Sequence, residues 1–375
     1  MGRHEPPPGL ALRPNLEQAR AHADEPRPLE IGVRRARAED KATILAFATH
    51  TWDGWDYIPE AWDAWLTASE GVMLVVEARQ PIEVPKGLIT AGQAIAMSRV
   101  VMLSERDAWL EGIRVDPRVR GRGVATGLQV AELAWARAQG ATWIRYATGE
   151  ENEGSHRLGA RHGIRVLSRW RWYAPRRGET EDGPPEPVGP TAVDRHLLAP
   201  DAPAGDVGAL WALIDADRTF ALGERLYESR SWAFQPLTRE RFAAHVRAAE
   251  VHVSRDRGAL VVAPHQAGWN EEQHPHVALV CGDGAAALEL LVDLREAFGG
   301  QLNVRLPWPD PPILAGDLGE RWAAAGFGSW GKHSLHVLGR PLDADPSPEP
   351  AHPGLRFLEP PRPIAVPQPI GQPDP

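Results

Sequence analysis

Proline decides where this chain can fold. It removes a backbone donor and fixes φ, so clusters of it stop helices and sheets alike. Residues 1–28 carry Pro6, Pro7, Pro8, Pro14, Pro26 and Pro28 among charged side chains, and read as a disordered arm. A second run, 175–205, holds Pro184, Pro185, Pro187, Pro190, Pro200 and Pro203 and reads as a linker. From Pro341 to the end, twelve of 35 residues are proline, which predicts an extended polyproline-like tail, 341–375, rather than fold. Two segments of similar size remain, 29–174 and 206–340. In a chain of 375 residues that is the length of two ordinary domains.

Composition excludes several classes of function. No run of eighteen apolar residues exists, which rules out a spanning helix. The start, Met1-Gly2-Arg3-His4-Glu5, lacks the apolar stretch of a secretory signal. Cys281 is the one cysteine, so neither a disulfide framework nor a cysteine metal cluster can form. The net charge of −9 argues against a nucleic-acid partner. The expectation is a cytoplasmic, two-domain protein whose 15 tryptophans serve as core and pocket walls.

The first segment reads as mixed α/β. Strands are expected at Ile31–Arg35, Val72–Glu77, Leu88–Val101, Ala108–Val115, Trp143–Ala147 and Ile164–Tyr173, with helices over Ala38–Thr49 and Ser155–His162. The strongest helix follows Gly123. Val124, Leu128, Ala131, Trp135 and Ala138 fall on one stripe, and Gly140 supplies a C-cap. The second segment repeats strand, long helix, strand, short helix, strand through His276–Cys281, Ala285–Phe298, Gln301–Leu306, Gly319–Gly326 and Ser334–Leu338. Internal duplication is the preferred account of that order, over two unrelated α/β domains.

The chemistry lies in Trp109-Leu-Glu-Gly-Ile-Arg-Val-Asp-Pro-Arg-Val-Arg-Gly-Arg-Gly-Val-Ala. A strand ends at Val115, Asp116-Pro117 turns the chain, and a loop with two glycines enters the striped helix. Gly121 and Gly123 permit backbone conformations closed to other residues. Amides then converge at a helix N-terminus, a setting for phosphate or pyrophosphate, with Arg118, Arg120 and Arg122 around it. Neither of the common nucleotide-loop patterns is present.

Arg118-x-x-Gly121-x-Gly123 between strand and helix resembles the acetyl-coenzyme A loop of the GCN5-related N-acetyltransferase (GNAT) family. Asn152-x-x-Ser155-x-x-Leu158 resembles that family's second signature. The resemblance implies a mixed, mostly antiparallel sheet flanked by helices, here as two similar domains in tandem. It implies acetyl-coenzyme A as cosubstrate, and no metal. Its pyrophosphate would lie on Arg118, Val119, Arg120, Gly121, Arg122, Gly123, Val124 and Ala125. Its pantetheine would enter a splay between Ala108–Val115 and Trp143–Thr148, along Ile113, Arg114 and Val115. Asn152, Ser155 and Leu158 complete the coenzyme site.

Glu111 is the candidate base. Strand alternation puts Trp109, Glu111, Ile113 and Val115 on one face, so the carboxylate is expected among apolar neighbours that favour proton uptake. The family often carries an acidic tyrosine directly after the residue matching Leu158; here Gly159 stands there, with Tyr146, Tyr173 and His156 as replacements to consider. The aromatic and acidic run His50–Pro59 reads either as the acceptor pocket, with Asp53 and Asp56 holding an amine between Trp52, Trp55 and Tyr57, or as a core-packing loop with solvated aspartates. Asp56-Tyr-Ile-Pro, with Leu-Glu-Gly-Ile-Arg-Val, also resembles a vertebrate branch that includes histidine N-acetyltransferase, which implies a free amino acid or similar small amine.

In the second segment Cys281-Gly-Asp-Gly-Ala replaces the cradle. It has no arginine, and Asp283 would repel a pyrophosphate. Scaffold, acceptor lid and homodimer surface are the roles left for a degenerate copy. The reading is an N-acetyltransferase acting on a small-molecule amine by direct attack. Its rivals are an acyl-coenzyme A-binding regulator with lapsed chemistry and an N-acyl transferase of thiol-cofactor biosynthesis.

Overall fold

The computed structural model describes residues 29–49, 51, 56–85, 87–174, 196–199, 201–267, 273–298, 302, 304–342 and 352–362. The first half runs β1 (Ile31–Arg35), α1 (Asp40–Ala48), α2 (Ile58–Thr67), β2 (Gly71–Ala78), β3 (Ala94–Met102), β4 (Asp107–Val115), α3 (Val124–Ala138), β5 (Trp143–Gly149), α4 (Glu153–Arg161) and β6 (Arg165–Ala174). A small hairpin, Ile82–Val84 with Gly87–Ile89, interrupts the expected strand before β3. The helix α2 was not anticipated; its span falls partly in the acceptor run, where Ile58-Pro59 opens the first turn as proline does readily.

The second half contains β7 (His196–Leu197), α5 (Ala204–Ala216), α6 (Arg218–Leu222), β8 (Leu226–Arg230), β9 (Ala233–Pro236), α7 (Arg239–Arg247), β10 (Val251–Val253), β11 (Ala259–Val262), β12 (Leu279–Gly282), α8 (Gly284–Ala297), β13 (Val304–Pro307), α9 (Leu318–Ala324) and β14 (Gly328–Pro341). Two proline-rich stretches hold more order than expected. β7 and the start of α5 lie inside the expected linker. Within the expected tail, β15 (Leu355–Phe357) pairs parallel with β1.

The two halves share one sheet. Its nine strands run β13-β6-β14-β5-β4-β3-β2-β1-β15. β14, from the second half, lies antiparallel between β5 and β6 of the first. β6, in turn, lies between β14 and β13. A separate four-stranded sheet runs β12-β11-β10-β7.

α3 packs along one face of the large sheet. Val124, Leu128, Ala131 and Trp135 are buried there with Ile31, Val76, Val100 and Ile144. Gly140 closes the helix with φ +83°, and the Ala141 amide reaches the Ala136 carbonyl, the bond pattern of a left-handed C-terminal cap. The opposite face carries α1 and α2, with Ile44, Ile58, Trp62 and Trp65 against Met73, Val75 and Met97. Each such large apolar side chain contributes roughly 1.5–3 kcal/mol by leaving water.

Candidate functional site

β4 and β5 run parallel, yet they pair only where Asp107–Trp109 meets Trp143–Arg145. Past that point they part. The gap opens a cleft of about 820 Å³ between Leu110–Val115 on one strand and Tyr146–Thr148 on the other. Its mouth is formed by Val119–Gly121, the Gly123–Thr126 start of α3, and Asn152, Ser155 and Leu158 at α4. Backbone groups facing the gap have no ladder partner there, so an extended amide-bearing chain can take them.

The loop sits as a cradle should. Gly121 and Gly123 have φ of +76° and +82°, values that cost other residues strain. A Cβ placed on Gly121 would have nothing within 4 Å; it would point into open space. α3 starts at Gly123 with no side chain capping it, leaving first-turn N–H groups and the helix dipole for an anion. Asn152 is the N-cap of α4: its Oδ1 accepts from the Ser155 amide at 3.1 Å and its Nδ2 donates to Thr148 Oγ1 at 2.9 Å. The second motif therefore clamps α4 to β5 at the cleft edge.

Residues 43–164 match the model of the acetyltransferase (GNAT) family. The chain carries a GNAT acetyltransferase domain. No curated protein sequence matches the chain. The fold resembles a GCN5-related N-acetyltransferase from Sphaerobacter thermophilus, at 18% identity and a TM-score of 0.52 over 84% of this chain and 97% of that one. A GCN5-related N-acetyltransferase from Kribbella flavida matches at 15% identity and a TM-score of 0.43, over 84% and 72%. An acetyltransferase of Salmonella typhimurium, solved with its cofactor acetyl-CoA, matches at 16% identity and 0.29, over 37% and 82%.

Within the acetyltransferase domain most expected coenzyme residues line the cleft: Ile113, Arg114, Val115, Val119, Arg120, Gly121, Gly123, Val124, Ala125, Asn152, Ser155 and Leu158. Arg118 and Arg122 do not. The Arg118 guanidinium folds back onto Asp116 at 2.6 Å, because the carboxylate of the Asp-Pro turn is only two residues away. Arg114 contributes backbone alone. Its guanidinium pairs with Asp56 at 2.7 and 3.0 Å.

That pairing corrects the acceptor assignment. Asp56 is buried and also accepts from the Ile58 amide at 2.9 Å, so its carboxylate is committed to Arg114 and the start of α2 rather than to an amine. Tyr57 lines the cleft. Trp52, Asp53, Trp55 and His50 lie outside the described residues.

Glu111 lines the cleft, but the expected face is wrong. Gly112 takes φ +71°, and β4 slips against β3 so that Arg99 opposes Glu111 and Met97 opposes Arg114. This bulge inverts the alternation beyond it. Leu110, Ile113 and Val115 now pack toward α3, while Glu111 and Arg114 share the α2 side. A Cβ on Gly112 would stand 2.7 Å from the Trp65 ring, so glycine is required for both φ and space. Glu111 consequently sits among guanidinium groups rather than apolar neighbours. Arg99, 1% exposed, donates to its Oε1 and to Glu70 at 2.6 Å. Arg230 donates to both of its oxygens at 3.0 Å.

Two cleft residues carried no sequence signal as site residues. Gln129 and Glu132 are buried on α3 and line the cleft. Burial pushes the Glu132 carboxyl up to about 8, with the Ser98 hydroxyl opposing the shift. Of the three replacements for the missing tyrosine, Tyr146 alone lines the cleft. Its hydroxyl donates to the Ser155 carbonyl at 3.0 Å, and burial raises its pKa to about 12. A Cβ on Gly159 would stand 2.2 Å from that hydroxyl. His156 instead meets the Gly149 carbonyl and the His336 ring, and Tyr173 packs in the second half's core. Among the described residues no group of His, Cys, Asp and Glu is arranged to hold a metal ion, and no helix is long and apolar enough to cross a membrane.

Proposed function

We propose that the chain moves the acetyl group of acetyl-coenzyme A to the primary amine of a small molecule, by direct attack. One observation carries the reading: an uncapped helix start opens onto the gap where two parallel strands part. The amides from Gly121 to Ala125 would hold the pyrophosphate, and the backbone of Ile113 and Val115 the pantetheine. Acetyl-coenzyme A supplies an activated thioester. Glu111 takes the proton from the acceptor ammonium, through a water, and the amine then attacks the thioester carbon. Backbone amides near Val115 hold the developing oxyanion. As the C–S bond breaks, Tyr146, kept protonated across the neutral range by its raised pKa, gives its proton to the thiolate and takes up the second proton leaving the nitrogen.

We infer that the second half is a worn copy of the first. The repeated element order supports this, as does the reciprocal placement of β6 and β14, each between two strands of the other half. The test is release of coenzyme A from full-length protein against amino acids, polyamines, aminoglycosides and peptides. Release with a small amine, and one coenzyme bound per chain, is expected. Tight coenzyme binding with no transfer to any amine would overturn catalysis and leave a binding regulator.

A further inference from the structure

Among the described residues, a side chain of the second half, Arg230, reaches Glu111 at the cleft. The hairpin β8–β9 is pinned to the large sheet by Phe234, fully buried against Trp109 and Trp170 at ring separations of 6.2 and 4.8 Å. A bulge between Glu228 and Arg230 breaks the hairpin's register. Residues two apart then face opposite ways. Glu228 turns inward to Arg305, and Arg230 turns out to Glu111.

Arg230 differs from the other arginine on Glu111. Arg99 is buried and engages both Glu70 and Glu111. The Arg230 side chain is 33% exposed and spends only Nη2 on Glu111, leaving Nε and Nη1 without a partner among the described residues. A guanidinium with an unused edge is built for a second, planar anion.

Charge balance then selects the acceptor. Glu70, Arg99, Glu111 and Arg230 form a neutral group. An ammonium arriving at Glu111 must displace Arg230, which a bare amine leaves unpaired. An acceptor with a carboxylate beside its amine hands Arg230 a replacement partner as it takes Glu111. We propose that Arg230, supplied by the second half, is the specificity residue for the carboxylate of an α-amino acid whose amine lies on Glu111. This rests on the acetyltransfer reading and narrows its substrate class to zwitterions.

The test uses the full-length chain, with free L-amino acids, their primary amides and the matching decarboxylated amines. Transfer and calorimetric binding to coenzyme A-loaded protein are both measured. Wild type should favour the free acids over the amides by about tenfold to a hundredfold, the worth of a charged hydrogen bond. Arg230→Gln should raise KM for the acids and erase their preference over the amides, which no longer strand an unpaired guanidinium; Arg230→Lys should recover part of that preference. Acids and amides transferred equally by wild type would overturn the inference while acetyltransfer stands. An equal loss on acids and amides in Arg230→Gln would overturn it too, by reducing Arg230 to a structural role. Carboxylate-dependent binding without transfer to any amine would support Arg230 as the carboxylate anchor and overturn the acetyltransfer reading instead.

Discussion

The starts of α3 and α8, which the proposed duplication would equate, treat the helix dipole in opposite ways. At α3 the cap is Gly123, with a left-handed φ and no side chain hydrogen-bonded to the first amides, although His352 packs 2.8 Å from where a Cβ on Gly123 would stand. At α8 the cap is Asp283, whose Oδ1 accepts from the Ala285 and Ala286 amides at 3.0 Å each. The chain's own carboxylate occupies the position an anion would take. A Cβ on Gly284 would meet the Ile313 carbonyl at 2.1 Å, and Trp322 Nε1 donates to the Gly284 carbonyl at 3.0 Å, so the end of the helix is also covered. The strands differ likewise. β4 and β5 pair and then part, whereas β12 and β13 belong to separate sheets. α3 buries Gln129 and Glu132; α8 buries only glycine, alanine and leucine. A helix N-terminus becomes a ligand site when the fold leaves it unsatisfied, and a structural joint when a neighbouring residue satisfies it.

The largest effect is expected from Gly121→Asp. It adds a strained residue at φ +76° and a negative charge facing the proposed pyrophosphate, where like charges cost several kcal/mol. Coenzyme binding should vanish by calorimetry while circular dichroism stays unchanged. Retained binding of one coenzyme would move the site to the second half. Next in size, Glu111→Gln should slow turnover on the order of 10²–10⁴-fold. The defect should shrink as pH rises, because more acceptor is already neutral; a loss equal at every pH would make Glu111 a positioning group. Tyr146→Phe should cost about tenfold in kcat at near-constant KM, a small effect because a thiolate with a free pKa near 8.5 leaves without much help.

Two further variants sharpen the contrast through stability. Glu132 titrates near 8 when folded, against an ordinary 4.5. Between those values the folded chain keeps a proton that the unfolded chain has lost. Stability should therefore fall as pH rises through that window, by up to about 1.4 kcal/mol per unit, and level off above it. Denaturation of Glu132→Gln should lack this slope, and an unchanged slope would assign the titration elsewhere. Asp283→Ala should cost about 1 kcal/mol as a lost N-cap and create no coenzyme binding, since the Ile313 carbonyl still closes the helix end. A second bound coenzyme in that variant would mean that the cap alone silences the second half.

Local chemistry made much of the site legible. Gly121, Gly123 and the stripe from Val124 to Trp135 follow from backbone freedom and helical period, and they stand where expected. Asn152 was marked by its motif alone, and its role as the N-cap of α4 emerged only in the fold. Alternation failed for Glu111, because a bulge changes the phase of a strand without leaving a periodic trace. Gly112 was its one mark, and a lone glycine in a strand does not say which way the strand shifts. Asp56 failed for another reason: Arg114 lies 58 residues away, and pairing across that distance has no local signature.

The striped helix α3, its glycine entry and the arginine-free loop before α8 are legible in the chain alone, because turns, caps and stripes are set by neighbours within a few residues. The tertiary structure decided the rest. It put β14 between β5 and β6, brought Arg230 onto Glu111 across 119 residues, and set Tyr146 beside the space that Gly159 leaves. Those pairings depend on which strand edges and charges find each other once the chain has collapsed, and no window of sequence contains both partners.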